Sequence, residues 1–277
     1  MLGTVTKNEN ETRQTLASIR AAGYDSLELN GFMIRPTSFL VRAMTKAAGM
    51  PVGKGGNYDW KGLLQEAGLT VSGVHEDLGS IKRDPAGIAK EAQDFGTDFV
   101  IITGMYRFDY SDEEALSSLA SDLNQYGREL KAHGVHLLYH NHNCELRKVG
   151  NKRQGITAYE YLIDHTDPEA VNFEFDSYWF TEGGADAASW MRKLGSRLKL
   201  WHINDRGTRL TGPSMTPILK SDSMELGFGN MPLDTLSAIA KEAGIEAVVL
   251  ESHKNWVDKD PVKSLTLSAE YLKRTLG

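Results

Sequence analysis

The chain has 277 residues, 40% hydrophobic and 25% charged, which is enough to bury a full core and excludes a disordered chain. With 37 acidic against 31 basic side chains the formal net charge is −6, so the basic footprint that a nucleic-acid or anionic-membrane partner requires is missing. The lone cysteine, Cys144, excludes an intrachain disulfide, and no apolar run reaches membrane-spanning length. Residues Met1 to Lys7 show no charged segment leading into a long apolar one, so a cytoplasmic protein is expected, with a periplasmic one equally compatible.

Short apolar, β-branched runs alternate with longer amphipathic stretches. A strand-like run at Leu2–Thr6 precedes a helix-like stretch at Glu9–Ala22. Ser26–Leu29 follows, then a helix at Thr37–Ala48 or Trp60–Ala67. The next pairs are Thr70–His75 with Pro85–Phe95, Phe99–Thr103 with Asp112–Ala132, and Val135–His140 with Ala158–His165. Val171–Asp176 pairs with Ala185–Leu194, Leu198–Ile203 with Pro232–Ala243, and Ala247–Glu251 with Pro261–Thr275. Gly23, Gly68, Gly96, Gly134 and Gly244 stand where helices end, and Asp84-Pro85 and Asp260-Pro261 read as N-cap plus first-turn proline. Eight such units predict βαβ connections around a parallel sheet. Their even spacing, with no glycine-rich dinucleotide loop after the first run, favours one α/β domain over 1–277, a (β/α)₈ TIM barrel. The segment Arg206–Asn230 is long for a strand-to-helix loop and reads as a rim loop or lid.

In a barrel the C-terminal strand ends line the mouth of the active site. The fifth run ends in His140-Asn141-His142, with Glu145 just beyond, and the sixth in Glu174-Phe175-Asp176. The seventh ends in Trp201-His202, followed by Asp205-Arg206, and the eighth in Glu251-Ser252-His253. Four successive runs therefore end in donors for a hard or borderline divalent ion. Side-chain alternation sets His140 on the face of Leu138, His202 on that of Leu200 and Glu251 on that of Val249. Glu174 shares the face of Asp176, where a buried carboxylate needs a partner, and His136 is a candidate. His75, ending the third run, reads either as a substrate contact or as a capped loop residue. Trp179 reads as pocket wall or packing. Arg206 either binds an anionic substrate group or pairs with Asp205. Gly53-Lys54-Gly55-Gly56 lacks phosphate-loop spacing and reads as a plain loop.

Several stretches carry a resemblance in their order and spacing: Ala21-Ala22-Gly23-Tyr24-Asp25 through Leu29, Gly68 through His75, Tyr139-His140-Asn141-His142-Asn143-Cys144-Glu145, Phe173 through Trp179, His202-Ile203-Asn204-Asp205, Val249-Leu250-Glu251, and Asp260-Pro261 through Leu272. On these the chain resembles the sugar-phosphate isomerase/epimerase family of xylose-isomerase-like TIM barrels. The resemblance implies one divalent metal, Mn²⁺ favoured over Mg²⁺, Co²⁺ or Zn²⁺, held by Glu, Asp, His and Glu from the fifth to eighth strands. The last three map onto Asp176, His202 and Glu251. The first does not map directly, because His140 stands where much of the family has glutamate. By likeness to a histidine-rich branch, Glu145 is the favoured fourth ligand with His140 a polar neighbour; His140 as ligand is the competing assignment.

The resemblance implies an isomerase or epimerase of a keto sugar or related polyol. The ion polarises a carbonyl, and Glu145 and Glu251 move the proton on either face; if Glu145 is only a ligand, His140 or His142 is the better base. His75, His142, Trp179, Asp205 and Arg206 are the expected substrate contacts. The same residues with a leaving-group acid such as His142 suit a lyase, dehydrating an inosose or eliminating from a 3-keto-glycoside. An apurinic-site endonuclease would need more histidines and a basic surface. The expected partner is a small sugar, with neither nucleic acid nor membrane, and a homo-oligomer is compatible.

Overall fold

The computed structural model describes residues 8–35, 58–151, 154–209 and 212–276. The expected strand Leu2–Thr6, the expected helix Thr37–Ala48 and the Gly53 to Gly56 loop lie outside the described residues. In chain order the helices and strands begin with α1 (Glu9–Ala22), β1 (Ser26–Asn30), α2 (Gly31–Ile34), α3 (Trp60–Ala67), β2 (Thr70–Glu76), α4 (Leu78–Arg83) and α5 (Pro85–Asp94). They continue with β3 (Phe99–Thr103), α6 (Glu113–Ala132), β4 (His136–His140), α7 (Ala158–His165), β5 (Val171–Asp176), α8 (Ser177–Glu182) and α9 (Ala187–Leu194). The series closes with β6 (Leu198–Ile203), β7 (Asp205–Gly207), β8 (Asp222–Met224), α10 (Leu233–Ala243), β9 (Ala247–Leu250) and α11 (Pro261–Thr275). Two compact units emerge: Met1–Ser72 with Asn204–Met231 and Leu250–Gly277, and Gly73–Ile203 with Pro232–Val249.

In the first unit α1 packs against α3 and α11. Asn8 caps α1 by accepting the Glu11 N–H at 2.9 Å, and Gly23 ends it at φ 108, a left-handed turn that a side chain would resist. Across the expected rim loop, β7 and β8 pair as an antiparallel ribbon, with Asp205 opposite Met224.

The second unit carries the sheet that builds the site. Its strands follow in the order β2, β3, β4, β5, β6, β9, and each pair from β2 to β6 is parallel. The period of two separates the faces. On one face Phe173 and Phe175 meet Tyr159 of α7 and Phe180 of α8 in edge-on and tilted ring contacts, with centroids 5.0–6.3 Å apart in the Phe175–Phe180, Tyr159–Phe173 and Tyr159–Phe175 pairs. Each such pair contributes about 0.5–1.5 kcal/mol beyond area burial, so β5 and α8 are firmly joined. On the other face Phe99, Ile101, Leu138 and Leu200 pack as one buried layer with Ala247 beside it. Two residues further along their strands stand Thr103, His140 and His202. The apolar layer thus forms a floor, and polar residues begin one pleat above it. Among the described residues, no helix is long and apolar enough to cross a membrane.

Candidate metal centre

The sheet brings His140, Asp176 and His202 together. Each presents one ligand atom, and these atoms lie within 4.8 Å of one another. All three are buried, and the His140 and His202 rings stand 4.6 Å apart edge to face. The β5–β6 register sets Asp176 beside His202. Asp176 is held twice over. Its Oδ1 accepts the Trp179 N–H at 2.8 Å as the cap of α8, and its backbone N–H and carbonyl exchange 3.0 Å hydrogen bonds with the Asn141 side chain. Oδ2 stands 3.9 Å from His202 Nδ1.

Glu174 lies beneath this trio, fully buried. His140 Nδ1 is 2.9 Å from its Oε2, His202 Nε2 is 3.2 Å from its Oε1, and His75 Nε2 is 3.6 Å from Oε2. The Nδ1 of His75 meets the Thr103 hydroxyl at 2.6 Å. The sequence expectation of His136 as the partner of Glu174 is corrected. The β4–β5 register pairs Glu174 with His140, and His136 lies four residues back, about 13 Å along the strand. There it is exposed and packs near the Phe99 ring.

Two imidazoles and a carboxylate within reach of one ion form a borderline donor set suited to Mn²⁺, Co²⁺ or Zn²⁺. Two buried carboxylates, Glu174 and Asp176, on one small surface also need positive charge nearby, which a divalent cation supplies. The residues present fit such an ion.

Glu145, the favoured fourth ligand of the sequence reading, is engaged elsewhere. Its carboxylate is buried and turned to the other face of β4, where Oε1 accepts from the Tyr139 hydroxyl at 2.9 Å. Oε2 accepts the His142 N–H at 2.9 Å and the Cys144 thiol at 3.1 Å. Tyr139 meets the Tyr110 hydroxyl at 2.9 Å, and that hydroxyl accepts the Met105 N–H. Burial, reinforced by the Glu145 charge, pushes Tyr139, Tyr110 and the Cys144 thiol well up, so all three stay protonated at neutral pH. Glu145 pins the 140–145 turn, and Tyr139, its main partner, alternates in direction with His140. That pinning positions His142, whose half-buried ring lies 5.0 Å from that of His140 and 5.9 Å from that of Trp179.

The other expected residues fall in the first unit. Glu251 is half-buried and its Oε1 lies 3.1 Å from His253 Nε2. The two oxygens of Asp205, an expected substrate contact, accept the backbone N–H groups of Arg206, Gly227, Gly229 and Met231 at 2.8–3.1 Å. It thereby ties together the base of the long loop. Arg206 contributes its backbone to the β7–β8 ribbon, opposite Ser223. Sequence reasoning missed Asn141, Tyr139 and Thr103. Only Asn141 left a signal, as an amide directly after a strand-end histidine.

Parallel strands alternating with helices, and polar donors at their C-terminal ends, define an α/β barrel protein. The family described as xylose isomerase-like TIM barrel matches residues 16–275, and the chain belongs to that family. It is similar in structure to a sugar phosphate isomerase/epimerase from Parabacteroides distasonis ATCC 8503, at 22% identity and TM-score 0.73, covering 98% of this chain and 94% of that one. It is also similar to a xylose isomerase-like TIM barrel protein from Mycobacterium smegmatis in complex with magnesium, at 15% identity and TM-score 0.65, covering 100% and 94%. At these identities the likeness establishes the fold. In sequence it is 32% identical to an inosose dehydratase from Mesomycoplasma hyopneumoniae (strain 7448) over 96 residues, which is 35% of this chain and 30% of that protein. The match thus spans under a third of that curated relative's length.

Proposed function

We propose that the protein is a metal-dependent enzyme that removes the proton next to the carbonyl of a keto sugar or keto polyol. The observation that carries this reading is the convergence of His140, Asp176 and His202 at adjacent strand ends. These three are the proposed ligands, and the resemblance of the Val249-Leu250-Glu251 stretch to the family implies Glu251 as a further one. Mn²⁺ is the favoured ion, with Mg²⁺, Co²⁺ and Zn²⁺ as alternatives. A divalent ion there would polarise the carbonyl and stabilise the charge left when the adjacent proton departs.

The residues of the chain supply the rest. His142 is held by its backbone N–H on Glu145 with its ring at the edge of the site, where an imidazole can accept or return a proton near neutral pH. Trp179, beside it, offers an apolar face to the C–H side of a sugar ring. His75 and the exposed Thr103 hydroxyl, already paired, offer polar contact to substrate hydroxyls.

Elimination of water is favoured over isomerisation. A reversible proton shuttle through two carboxylates needs Glu145 at the ion, and Glu145 is committed to Tyr139. A histidine placed to protonate a departing hydroxyl remains. The partial likeness to an inosose dehydratase supports the same outcome.

The test is incubation of the Mn²⁺-loaded protein in D₂O with a panel of inososes and keto sugars. Loss of water with formation of an enone or diketone supports dehydration. Deuterium in an isomerised product of unchanged composition would support the isomerase instead. No exchange with any substrate while metal is bound overturns the reading.

A further inference from the structure

We infer that Glu174 is a positioning residue that orients two metal ligands at once and fixes which nitrogen of each faces the ion. The inference rests on the metal site proposed above and goes beyond it. Glu174 is fully buried, and its two oxygens are divided between two histidines from the flanking strands: Oε2 lies 2.9 Å from His140 Nδ1, and Oε1 lies 3.2 Å from His202 Nε2. A carboxylate attracts a proton and repels a lone pair, so the nitrogen facing it carries the proton: His140 Nδ1 in a hydrogen bond, and His202 Nε2 as a close ionic contact. That leaves His140 Nε2 and His202 Nδ1 as the nitrogens that would hold an ion. The geometry at Asp176 agrees, because its Oδ2 stands near Nδ1 of His202, at 3.9 Å. Two ligands with opposite tautomers are thereby set by one side chain.

The strand register explains why one residue reaches both. Glu174 pairs with His140 across β4–β5 and with Leu200 across β5–β6. His202 lies two residues beyond Leu200, on the same face. Glu174 is thus level with the first histidine and one pleat below the second. Buried carboxylates that accept from ligand imidazoles restrict ring rotation and raise ligand basicity, and their loss commonly costs about 10- to 100-fold in metal affinity. Glutamine in place of Glu174 keeps the shape and can accept through one atom only. Its NH₂ then faces one of the two histidines and requires the opposite tautomer there.

The test has two arms. In the metal-free wild-type protein, long-range ¹H–¹⁵N spectra of the histidine rings should show His140 protonated at Nδ1 and His202 at Nε2. The reverse tautomer at either residue overturns the inference, and this arm needs no variant. In the second arm, Mn²⁺ affinity is measured for wild type and Glu174→Gln. The expected result is affinity lowered about 10- to 100-fold with one ion per chain in both, and one histidine switched in tautomer. Equal affinity in a folded Glu174→Gln overturns the inference, as does a fall from two ions to one, which would make Glu174 itself a ligand. A wild type that binds no divalent ion defeats the metal site, whereas a wild type that binds alongside an equally tight Glu174→Gln defeats the role of Glu174 alone.

Discussion

The Tyr139 hydroxyl donates to the Glu145 carboxylate at 2.9 Å within a fully buried pair. This contact engages the carboxylate that likeness to a histidine-rich branch of the family had implied as a metal ligand, and the proposed ligand set of His140, Asp176 and His202 leaves it out. A hydrogen bond to a buried charge contributes about 1.5–3 kcal/mol, and removing the donor leaves the carboxylate with its two weaker or backbone partners. Tyr139→Phe is therefore expected to lower unfolding free energy by about 1.5–3 kcal/mol in urea titrations while metal content stays unchanged. Loss of the ion in a folded Tyr139→Phe would contradict the independence of this pair from the metal trio.

Gly127 sits in the interior of α6 where a Cβ would meet the Ala170 carbonyl oxygen. Asn124 on the same helix donates to the His165 carbonyl at 2.9 Å and accepts the Asp167 N–H at 2.7 Å, so α6 is docked tightly there. Glycine to alanine inside a helix ordinarily gains about 1 kcal/mol. Overpacking against backbone costs about 1–3 kcal/mol, and the backbone cannot swing aside as a side chain can. Gly127→Ala should accordingly lower the melting temperature. A rise would show that the helix does not approach Ala170 this closely.

Glu225, in the first unit, predicts a pH effect. Burial alone would raise its pKa, but hydrogen bonds from Ser264 (2.5 Å), Arg209 and the Val257 N–H (3.0 Å) outweigh it, and the pKa lies below the usual carboxylate value. A lowered folded pKa means that the ionised form favours the folded state. That contribution is fully present above the unfolded value, about 4.3, and disappears as pH falls through the lower folded value. Glu225→Gln should be less stable than wild type by about 1–3 kcal/mol at pH 7, with the gap narrowing below about pH 4. Urea midpoints at pH 7, 4 and 3 measure this. A gap that widens on acidification contradicts the assignment.

Much of the molecule could be read before the structure. Apolar runs and glycine punctuation located β3, β5, β6, α1, α7 and α11 at their observed bounds, and α3 matches one of two alternatives, because each is a short periodic segment with local start and stop signals. Alternation brought Asp176 and His202 to the right face for the same local reason. What could not be read depends on contacts distant in sequence. The partner of Glu174 follows from the β4–β5 register, and an error of four residues selected His136 in place of His140. The direction of Glu145 follows from a hydroxyl chain through Tyr110, 35 residues upstream and set by the loop after β3. Asp205 looks like a pocket residue because it follows a strand end, yet backbone donors from a returning loop occupy both of its oxygens.

The most direct test of the central claim is metal content after loading with Mn²⁺ and gel filtration, compared across four proteins. Wild type and Glu145→Gln are expected to retain one ion per chain, and Asp176→Ala and His202→Ala none. Undiminished metal in folded Asp176→Ala or His202→Ala would contradict the assignment.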